Sequence, residues 1–434
     1  MYICTHLSIM TDNLARIARF NLWDNTVPEV GFLRTEYLKT FSGFMGNNLI
    51  KVLTGQRRTG KSYLLRQVML QLISEGINAR NILYINTEFV EFNFLRNYTD
   101  LDALVREYRQ HFSPTGKVYL FFDEIQSIEG WERAVNSYAQ DFTTSYELFI
   151  SGSNARMLAG ELATLLSGRF VQWEVLPFSF QEFADFHHID TDKKGFLQYL
   201  QTGGLPELYH LPTEETRRHY LAALKDTILL RDIVARFQIK DVVLLEDVFA
   251  FLVNNIGNLT SIGNLISYFG SRRRKTNYET VANYVGYLTD TFLLHKSERI
   301  QIKAKELMGG ACKYYLNDLS YQYYLFGHFK HGYGYLLENY VYLELRRQGY
   351  EVHTGYSRSR EVDFVARKGD RTLYMQVAWS IADEATAIRE YNVLNGIMDH
   401  HEKILVTADD LRLPDYRGIR HQLAWETLVG SREN

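Results

Sequence analysis

The eight residues Gly55–Ser62 carry the clearest chemical signal in the sequence. They read Gly-Gln-Arg-Arg-Thr-Gly-Lys-Ser, which fits the G-x-x-x-x-G-K-[ST] pattern of a phosphate-binding loop. In this pattern the glycines let the backbone turn its N–H groups toward anionic oxygens. Lys61 can then reach the β- and γ-phosphates, and the Ser62 hydroxyl can ligate Mg²⁺. The sequence therefore predicts a site for ATP and Mg²⁺.

The residues on either side of this loop have the patterns of a strand and a helix. The short, mostly apolar run 49–54 precedes it, as expected for a buried strand. After it, apolar residues recur at helical spacing from Leu64 to Leu72, and Gly76 is a stop signal. A strand, a loop and a helix in this order are the context that the pattern requires. A glycine loop that only turns the chain is the alternative.

A second signal lies where the apolar run Val118–Phe122 ends in two acids, Asp123 and Glu124. At the tip of a buried strand, Asp123 would hold Mg²⁺, directly or through water. Glu124 would then polarise the attacking water as a general base. An acidic pair that only caps the next helix is the alternative interpretation.

Two further positions are candidates for contact with the γ-phosphate. Asn154 and Ser151, in the Ser-Gly-Ser-Asn segment, could sense the phosphate or orient water, or else cap a predicted helix over 155–166. Arg169 could stabilise transition-state charge, in cis or on a neighbouring subunit, or else be a solvated arginine. The predicted nucleotide contacts are Gly55, Gln56, Arg57, Arg58, Thr59, Gly60, Lys61, Ser62, Tyr63 and Asn154, with Ser62 and Asp123 for the metal and Lys61, Glu124 and Arg169 for catalysis.

Four further strand-like runs follow the loop and mostly alternate with helical patterns. This alternation predicts an α/β fold with a parallel, doubly wound sheet. A ligand of such a sheet binds at the carboxyl ends of the strands. The runs cover residues 81–86, 117–122, 146–151 and 170–175.

Five segments together resemble one family, the AAA+-like P-loop ATPases of bacteria and archaea that carry a winged helix and a C-terminal restriction-endonuclease-like domain of unassigned role. These segments are Gly55–Ser62, Phe121–Gln126, Ser151–Asn154, Leu165–Phe170 and Leu176–Phe183. The resemblance runs from about residue 34 to about residue 410. It implies an ATP-binding fold of the additional-strand type, with Asp123 and Glu124 as the metal and water residues.

The segment after the core predicts a lid and a winged helix. A Gly-Gly-Leu-Pro turn at 203–206 precedes an amphipathic helix over 214–236, which by analogy would close over nucleotide. Three helical patterns then precede two wing strands. The helices are predicted over 244–255, 260–269 and 277–290, and the wing strands over 292–299 and 312–317.

A basic run just before the third of these helices predicts contact with DNA. In a winged helix it would meet phosphates while Tyr278, Asn283 and Tyr287 approach the groove. A winged helix used only for packing, with a solvated basic loop, is the alternative. The run consists of Arg272, Arg273, Arg274 and Lys275.

The C-terminal pattern resembles a restriction-endonuclease-like fold that has lost its metal site. An active member places an Asp on one strand and Glu-x-Lys on the next, which hold Mg²⁺ and position water. Asp363 matches the first acid and Glu338 a helical acid, but Gln376 and Ala378 replace the Glu and the Lys. These changes predict a pseudo-nuclease domain for docking or DNA binding. Asp363 as an ordinary surface acid stays open.

The composition is typical of a globular protein and excludes some classes. With 434 residues, 46% hydrophobic and 23% charged, the chain has ample core for several domains. Its net charge of −3 gives no global basic field, so DNA contact would need a local patch. Only Cys4 and Cys312 are present, which favours a reducing cytoplasm. No apolar run reaches the roughly 20 residues of a membrane span.

We therefore predict an N-terminal extension (1–30), a P-loop ATPase core (31–185), a helical lid (186–240), a winged helix (241–320) and a degenerate nuclease-like domain (321–434). The predicted function is Mg²⁺-dependent ATP hydrolysis coupled to the engagement of DNA or a partner. One alternative is a slow nucleotide-gated switch that recruits a protein partner. Another is an ATP-dependent nuclease with a rearranged site. The possible partners include a protein or further copies of this chain in a homo-oligomer.

Overall fold

The computed structural model describes residues 10–24, 27–154, 168–327, 332–357 and 360–426. The chain divides into two units, Met1–Val175 and Leu176–Asn434. None of the helices within the described ranges combines the length and hydropathy that crossing a membrane requires.

Five parallel strands form the sheet of the first unit: β1 (Ile50–Thr54), β2 (Ile82–Asn86), β3 (Val118–Asp123), β4 (Tyr146–Gly152) and β5 (Phe170–Glu174). Their order across the sheet is β2-β3-β4-β1-β5. This order places β4 between the strand that leads into the phosphate-binding loop and the strand that ends at Asp123. The predicted α/β class with a parallel P-loop core is confirmed.

Helices cover both faces of this sheet: α1 (Asp12–Ile17), α2 (Thr35–Ser42), α3 (Lys61–Ser74), α4 (Tyr98–Phe112) and α5 (Trp131–Ala139). Short 3₁₀ turns lie at Ala18–Phe20, Ala79–Asn81, Val90–Phe92 and Ile125–Ser127. Because side chains alternate along a strand, Phe121 and Phe122 enter different hydrophobic clusters on opposite faces. The strands β1 to β4 are therefore buried along their whole length, as the apolar runs predicted.

The second unit contains ten helices within its described residues: α6 (Phe180–His187), α7 (Lys193–Thr202), α8 (Glu214–Thr227), α9 (Ala235–Phe237), α10 (Val242–Val253), α11 (Ile262–Ser271), α12 (Tyr278–Asp290), α13 (Ser320–Leu325), α14 (Tyr333–Arg347) and α15 (Glu384–Asn395). A π-helical segment, Ile228–Val234, joins α8 to α9, and a 3₁₀ turn covers Pro206–His210. Asp241, Ser261 and Asn277 cap α10, α11 and α12 by accepting hydrogen bonds from backbone N–H groups.

A mixed sheet of seven strands completes this unit: β6 (Leu294–Gln301), β7 (Glu306–Leu316), β8 (Glu351–Ser357), β9 (Arg360–Lys368), β10 (Arg371–Ala378), β11 (Glu402–Thr407) and β12 (Ile419–Leu423). Their order is β12-β11-β10-β9-β8-β6-β7. The expected wing strands, 292–299 and 312–317, overlap β6 and β7, which form an antiparallel hairpin, and β6 also pairs with β8. The hairpin therefore belongs to the same sheet as the strands that follow residue 320, the predicted boundary between the winged helix and the C-terminal domain. The division into these domains stays a prediction.

Other backbone and side-chain atoms approach the turn at Gly203 and Gly204 so closely that only glycine fits there. Gly203 has φ +82°, and a Cβ atom on either glycine would overlap Asp318 or the carbonyl oxygen of Phe178. The Gly204 N–H donates to Asp318 Oδ2 at 2.6 Å. Burial raises the pKa of Asp318 to about 6, although several hydrogen bonds oppose the shift. Asp318, which lies two residues after the end of β7, therefore holds the expected tight turn.

Candidate functional site

The phosphate-binding loop joins β1 to α3, and its glycines adopt backbone angles that disfavour other residues. Gly55 has φ +143°, and a Cβ atom there would lie 2.5 Å from the carbonyl oxygen of Val175. Gly60, with φ +96°, is the N-cap of α3. The loop therefore turns directly into the first turn of a helix, whose N–H groups and dipole favour anions.

Lys61 is the first residue of α3, and its ammonium group is directed at the loop. Nζ donates to the carbonyl oxygens of Gly55 at 2.9 Å and Gln56 at 3.0 Å. It also lies 3.5 Å from Glu124 Oε1, and only 4% of the side chain is exposed. The loop backbone and an acidic side chain thus hold a buried positive charge beside the expected phosphate position.

Asp123 ends β3 as a fully buried carboxylate with several hydrogen-bond donors. Oδ2 accepts from the Tyr84 hydroxyl at 2.6 Å and from Asn86 Nδ2 at 2.8 Å, and Oδ1 accepts from the Ser151 hydroxyl. The Ser62 hydroxyl is a further partner. Burial raises the pKa of Asp123, and these hydrogen bonds oppose the shift. Donors from β2, β4 and α3 therefore fix this carboxylate.

Glu124 follows β3 in the left-handed backbone region, with φ +53°. This conformation turns the side chain toward Lys61, while Gln126 Nε2 donates to Oε2. Burial opposes ionisation of Glu124, but Lys61 and Gln126 outweigh it and lower the pKa of this carboxyl group. Glu124 is therefore ionised at neutral pH, as a general base must be.

The Ser151 hydroxyl joins the two acidic residues. It donates to Asp123 Oδ1 and accepts from the backbone N–H of Glu124 at 3.0 Å. Its single O–H is committed to the carboxylate, so this side chain positions the acids. The hypothesis that Ser151 senses the γ-phosphate is not supported by this geometry.

Asn154 lies at the same edge of the sheet as the loop. Thr54 and Gly152 pair in register, so the chain after β4 continues beside the start of the loop. Asn154 is 4% exposed there, and Ser153 accepts a 3.4 Å hydrogen bond from Gln126. A contact between Asn154 and nucleotide stays a prediction, and the expected helix over 155–166 lies outside the described residues.

Arg169 lies at the amino ends of the strands, whereas the phosphate-binding loop lies at their carboxyl ends, so a role in cis is not supported. Its carbonyl oxygen accepts from the Ile50 N–H at 2.9 Å, and Phe170 pairs with Ile50 at the start of β1. The loop follows Thr54 at the other end of β1, about 13 Å away at the usual rise per residue. The Arg169 side chain is exposed. A role at the site of a neighbouring subunit stays a prediction.

The remaining loop residues differ in their surroundings. Arg57 pairs with Glu88 at 2.6 Å, and Gln56 and Thr59 are buried in the loop. Arg58 adopts φ +68°. Contacts of these residues with phosphate stay predictions. So does a contact of Tyr63, whose ring is 42% exposed.

Sequence reasoning missed the residues that hold the loop and the acids from other elements. Arg34 is buried and donates to the carbonyl oxygen of Thr59 at 3.2 Å. Tyr84 and Asn86 reach Asp123 from β2, the strand beside β3. The available signal was that Tyr84 and Asn86 stand two residues apart at the end of a strand and therefore share a face.

The basic run is only partly available to a ligand. Arg272, Arg273 and Lys275 are exposed. Arg274 instead pairs with Asp241 at 2.8 Å and with Asp247, which are the cap and a residue of α10. Two carboxylates hold the guanidinium group of Arg274, so this structure favours DNA contact by the other three cations, and contact of the basic run with DNA stays a prediction.

On α12, two of the three expected groove residues point outward. Tyr278 is 65% exposed and Asn283 is also exposed. Tyr287 instead stacks on Phe237, with ring centroids 3.8 Å apart and planes 9° apart. The expected approach of Tyr287 to a groove is not supported, because its ring packs on the segment that precedes α10.

The acids of the nuclease-like pattern meet in space around a lysine that sequence reasoning missed. Lys313 on β7 lies 2.8 Å from Glu338 Oε1, 2.6 Å from Glu361 Oε1 and 3.5 Å from Asp363 Oδ1. Burial and the neighbouring Glu338 raise the pKa of Asp363 to about 8, although Lys313 opposes the shift. A buried ammonium group therefore occupies the centre of this carboxylate cluster.

Gln376 also belongs to this cluster. Its Oε1 accepts from the Asp363 N–H at 3.3 Å, and its Nε2 donates to Glu390 Oε2 at 2.9 Å. Ala378 ends β10 with no group that could replace a lysine amine. Across the described part of the chain, no set of three or more His, Cys, Asp or Glu side chains is arranged to hold a metal ion.

Family models match three consecutive parts of the chain. An AAA domain covers residues 47–184, a domain of unknown function (DUF8612) covers 193–331, and another (DUF4143) covers 333–424. Together with the fold and the loop geometry, the first match identifies residues 47–184 as an AAA domain with a P-loop.

Two relatives extend over most of the chain. An uncharacterized protein of Haemophilus influenzae is 36% identical over 390 residues, which are 89% of this chain and 96% of that protein. An uncharacterized protein of Methanocaldococcus jannaschii is 29% identical over 349 residues, which are 77% of this chain and 75% of that protein. The chain belongs to the same family as the Haemophilus influenzae protein.

Two solved structures show a distant likeness to this chain. The Aeropyrum pernix ORC1 protein in complex with DNA has 15% identity and a TM-score of 0.31, with 70% of this chain and 93% of that chain covered. AMPPCP-bound DnaA from Aquifex aeolicus has 14% identity and a TM-score of 0.30, with 62% and 91% covered. A likeness at this level carries no conclusion about what this chain binds.

Proposed function

We propose that this chain binds ATP with Mg²⁺ and hydrolyses it to ADP and phosphate. The observation that supports this most strongly is the convergence of Lys61, Asp123 and Glu124 at the carboxyl edge of a parallel sheet. A buried ammonium group, an ionised carboxylate and a helix N-terminus there supply charge stabilisation, a general base and an anion site.

Each group has a distinct task in this proposal. The loop and the first turn of α3 bind phosphate oxygens, and Lys61 exchanges its two loop carbonyls for them. Ser62 and Asp123 would hold Mg²⁺, which supplies charge neutralisation for the phosphates. Because both oxygens of Asp123 already accept hydrogen bonds, contact with the ion through water fits better than direct ligation. Glu124 accepts the proton of the attacking water, and Gln126 holds its carboxylate.

Glu124→Gln tests this assignment, with Glu129→Gln as a control on an exposed acid nearby. We expect the first variant to bind ATP normally and to hydrolyse it about 100-fold or more slowly, because a positioned base contributes at least that factor. The control should retain wild-type turnover. Normal turnover of Glu124→Gln would refute the assigned base, and failure of the wild type to bind MgATP would refute the proposed function.

Contact with DNA is the second part of the proposal, and the exposed cations before α12 favour it. Arg272, Arg273 and Lys275 flank the exposed N-terminal end of α12, as a phosphate contact in a winged helix requires. Substituting Arg273 and Lys275 by Gln should each reduce the salt slope of DNA affinity by about 1. Arg274→Gln is the control, because that guanidinium group is held by Asp241 and Asp247.

If the wild type does not bind DNA at low salt, a nucleotide-gated switch that recruits a protein partner becomes the preferred function. Slow turnover with tightly retained nucleotide would support that alternative.

If Arg169 acts in trans, mixing Arg169→Ala with Glu124→Gln subunits should restore ATP turnover through mixed interfaces. No recovery in mixed oligomers would refute a role in trans.

We further propose that residues 321–434 are a restriction-endonuclease-like domain with a degenerate metal site. The support is spatial, because Glu338, Asp363 and Gln376 lie together although they come from a helix and two strands. Gln376 and Ala378 lack the carboxylate and the amine of Glu-x-Lys, and loss of groups that act as a unit abolishes most of their effect. DNA cleavage that requires Asp363 would overturn the degenerate assignment.

A further inference from the structure

The side chain of Lys313 lies at the meeting point of β7, β9 and α14. Its three acidic partners belong to two elements, with Glu338 on α14 and both Glu361 and Asp363 on β9. The three N–O separations are 2.8, 2.6 and 3.5 Å. An ammonium group has three N–H donors, so the three acids match its capacity.

Burial makes this charge arrangement interdependent. The side chains of Lys313, Glu338 and Asp363 are 4%, 10% and 11% exposed. An unpaired charge at such a depth is strongly destabilising, whereas a charge with several partners is tolerated. The buried carboxylate of Glu338 therefore depends on the ammonium group, and the ammonium group depends on its acidic partners.

Further hydrogen bonds fix the carboxylates around Lys313. The Tyr315 hydroxyl donates to Glu338 Oε1 at 2.7 Å, and the Val377 N–H donates to Asp363 Oδ2 at 2.9 Å. The oxygens that a divalent cation would use, at about 2.0 to 2.6 Å, thus surround a nitrogen atom instead. An ammonium group carries one positive charge, whereas a divalent cation carries two. The neutral Gln376, in place of an acid, fits this smaller charge.

We infer that Lys313 is a built-in counter-ion, which occupies this carboxylate cluster in place of a divalent cation and joins β7, β9 and α14 without a metal. The inference concerns the second unit and does not depend on the proposed ATPase activity. It predicts that removing the ammonium group uncovers a cation site. Glu361 also lines a cleft of about 350 Å³, together with Arg360, Arg389, Asn392 and Val393.

The test measures Mn²⁺ bound by the full-length chain in the wild type and in Lys313→Ser, which removes the charge and leaves space. We expect Lys313→Ser to bind one additional equivalent of Mn²⁺, and Lys313→Ser with Asp363→Asn to lose it. Lys296→Ser, an exposed lysine on the neighbouring strand β6, is the matched control and should bind as the wild type does. Any Mn²⁺ at the P-loop site is common to all these proteins and cancels in the comparison.

Two results would overturn the inference. One is a folded Lys313→Ser protein that gains no Mn²⁺. The other is a wild type whose Mn²⁺ binding or Mn²⁺-dependent DNA cleavage disappears in Asp363→Asn, which would make Lys313 the amine of a rearranged nuclease. If Lys313→Ser does not fold, hydrogen exchange in β9 and α14 of the wild type decides. Exchange unchanged by Mn²⁺ or EDTA supports the counter-ion, and exchange slowed by Mn²⁺ contradicts it.

Discussion

Replacing Ser151 with alanine removes the hydroxyl group that joins Asp123 to Glu124. Two hydrogen bonds are lost, one to a buried carboxylate and one from the Glu124 N–H. A hydrogen bond to a charged group contributes about 1.5 to 3 kcal/mol, and a buried donor left without a partner costs about 1 to 3 kcal/mol. Since the two effects overlap, we expect the free energy of unfolding of the first unit to fall by about 3 kcal/mol.

The same change should lower ATP turnover, because Glu124 loses the contact that fixes its backbone. We expect a fall of about tenfold or more in kcat, the range for misplaced catalytic groups. Ser145→Ala is the matched control, because Ser145 is an exposed residue that directly precedes β4, at the end of the strand away from the two acids. Urea denaturation, followed by hydrogen exchange in β3 and β4, measures the stability of this unit by itself. Equal stability and turnover of the two variants would refute the bridging role of Ser151.

Three further predictions concern stability. Gly55→Ala should cost about 2 kcal/mol or more, because the new Cβ atom meets a carbonyl oxygen, whereas Gly116→Ala in open space should cost about 1 kcal/mol by thermal denaturation. Lys51→Met should cost about 3 kcal/mol in urea, because the buried carboxylate of Glu147 loses a partner, and an unchanged midpoint would contradict this. The folded protein binds a proton at Asp318 more tightly than the unfolded chain, so this residue should lower stability as pH rises from about 4 to about 6, by up to about 3 kcal/mol. Asp318→Asn should remove that slope from the pH dependence of the urea midpoint.

The parallel P-loop core could be predicted from the sequence because its signals are local. Each buried strand is an apolar run, and Gly55 and Gly60 mark the turn between a strand and a helix. The hydrophobic pattern also located α10 to α12, whose caps at Asp241, Ser261 and Asn277 are each adjacent to the helix that they begin. Such features need only a few neighbouring residues, so no knowledge of the tertiary structure was required.

The partners of the candidate site could not be predicted in the same way. Tyr84 contacts Asp123 only because β2 lies beside β3, and Ser151 bridges the two acids only because β4 lies between β3 and β1. The sequence made Arg169 a candidate for stabilising transition-state charge. The parallel register instead puts it at the amino end of β5, because every strand of this sheet runs in one direction.

The sequence by itself determined the chemistry of the phosphate-binding loop, because Gly55 to Ser62 are contiguous and their spacing sets the turn. Only the tertiary structure decided how distant charges are balanced. Lys313 meets Asp363, fifty positions later in the chain, and Arg274 is directed to the acids of α10. The physical reason is that a buried charge takes its partner from whichever element packs against it, and strand order and helix packing determine that choice.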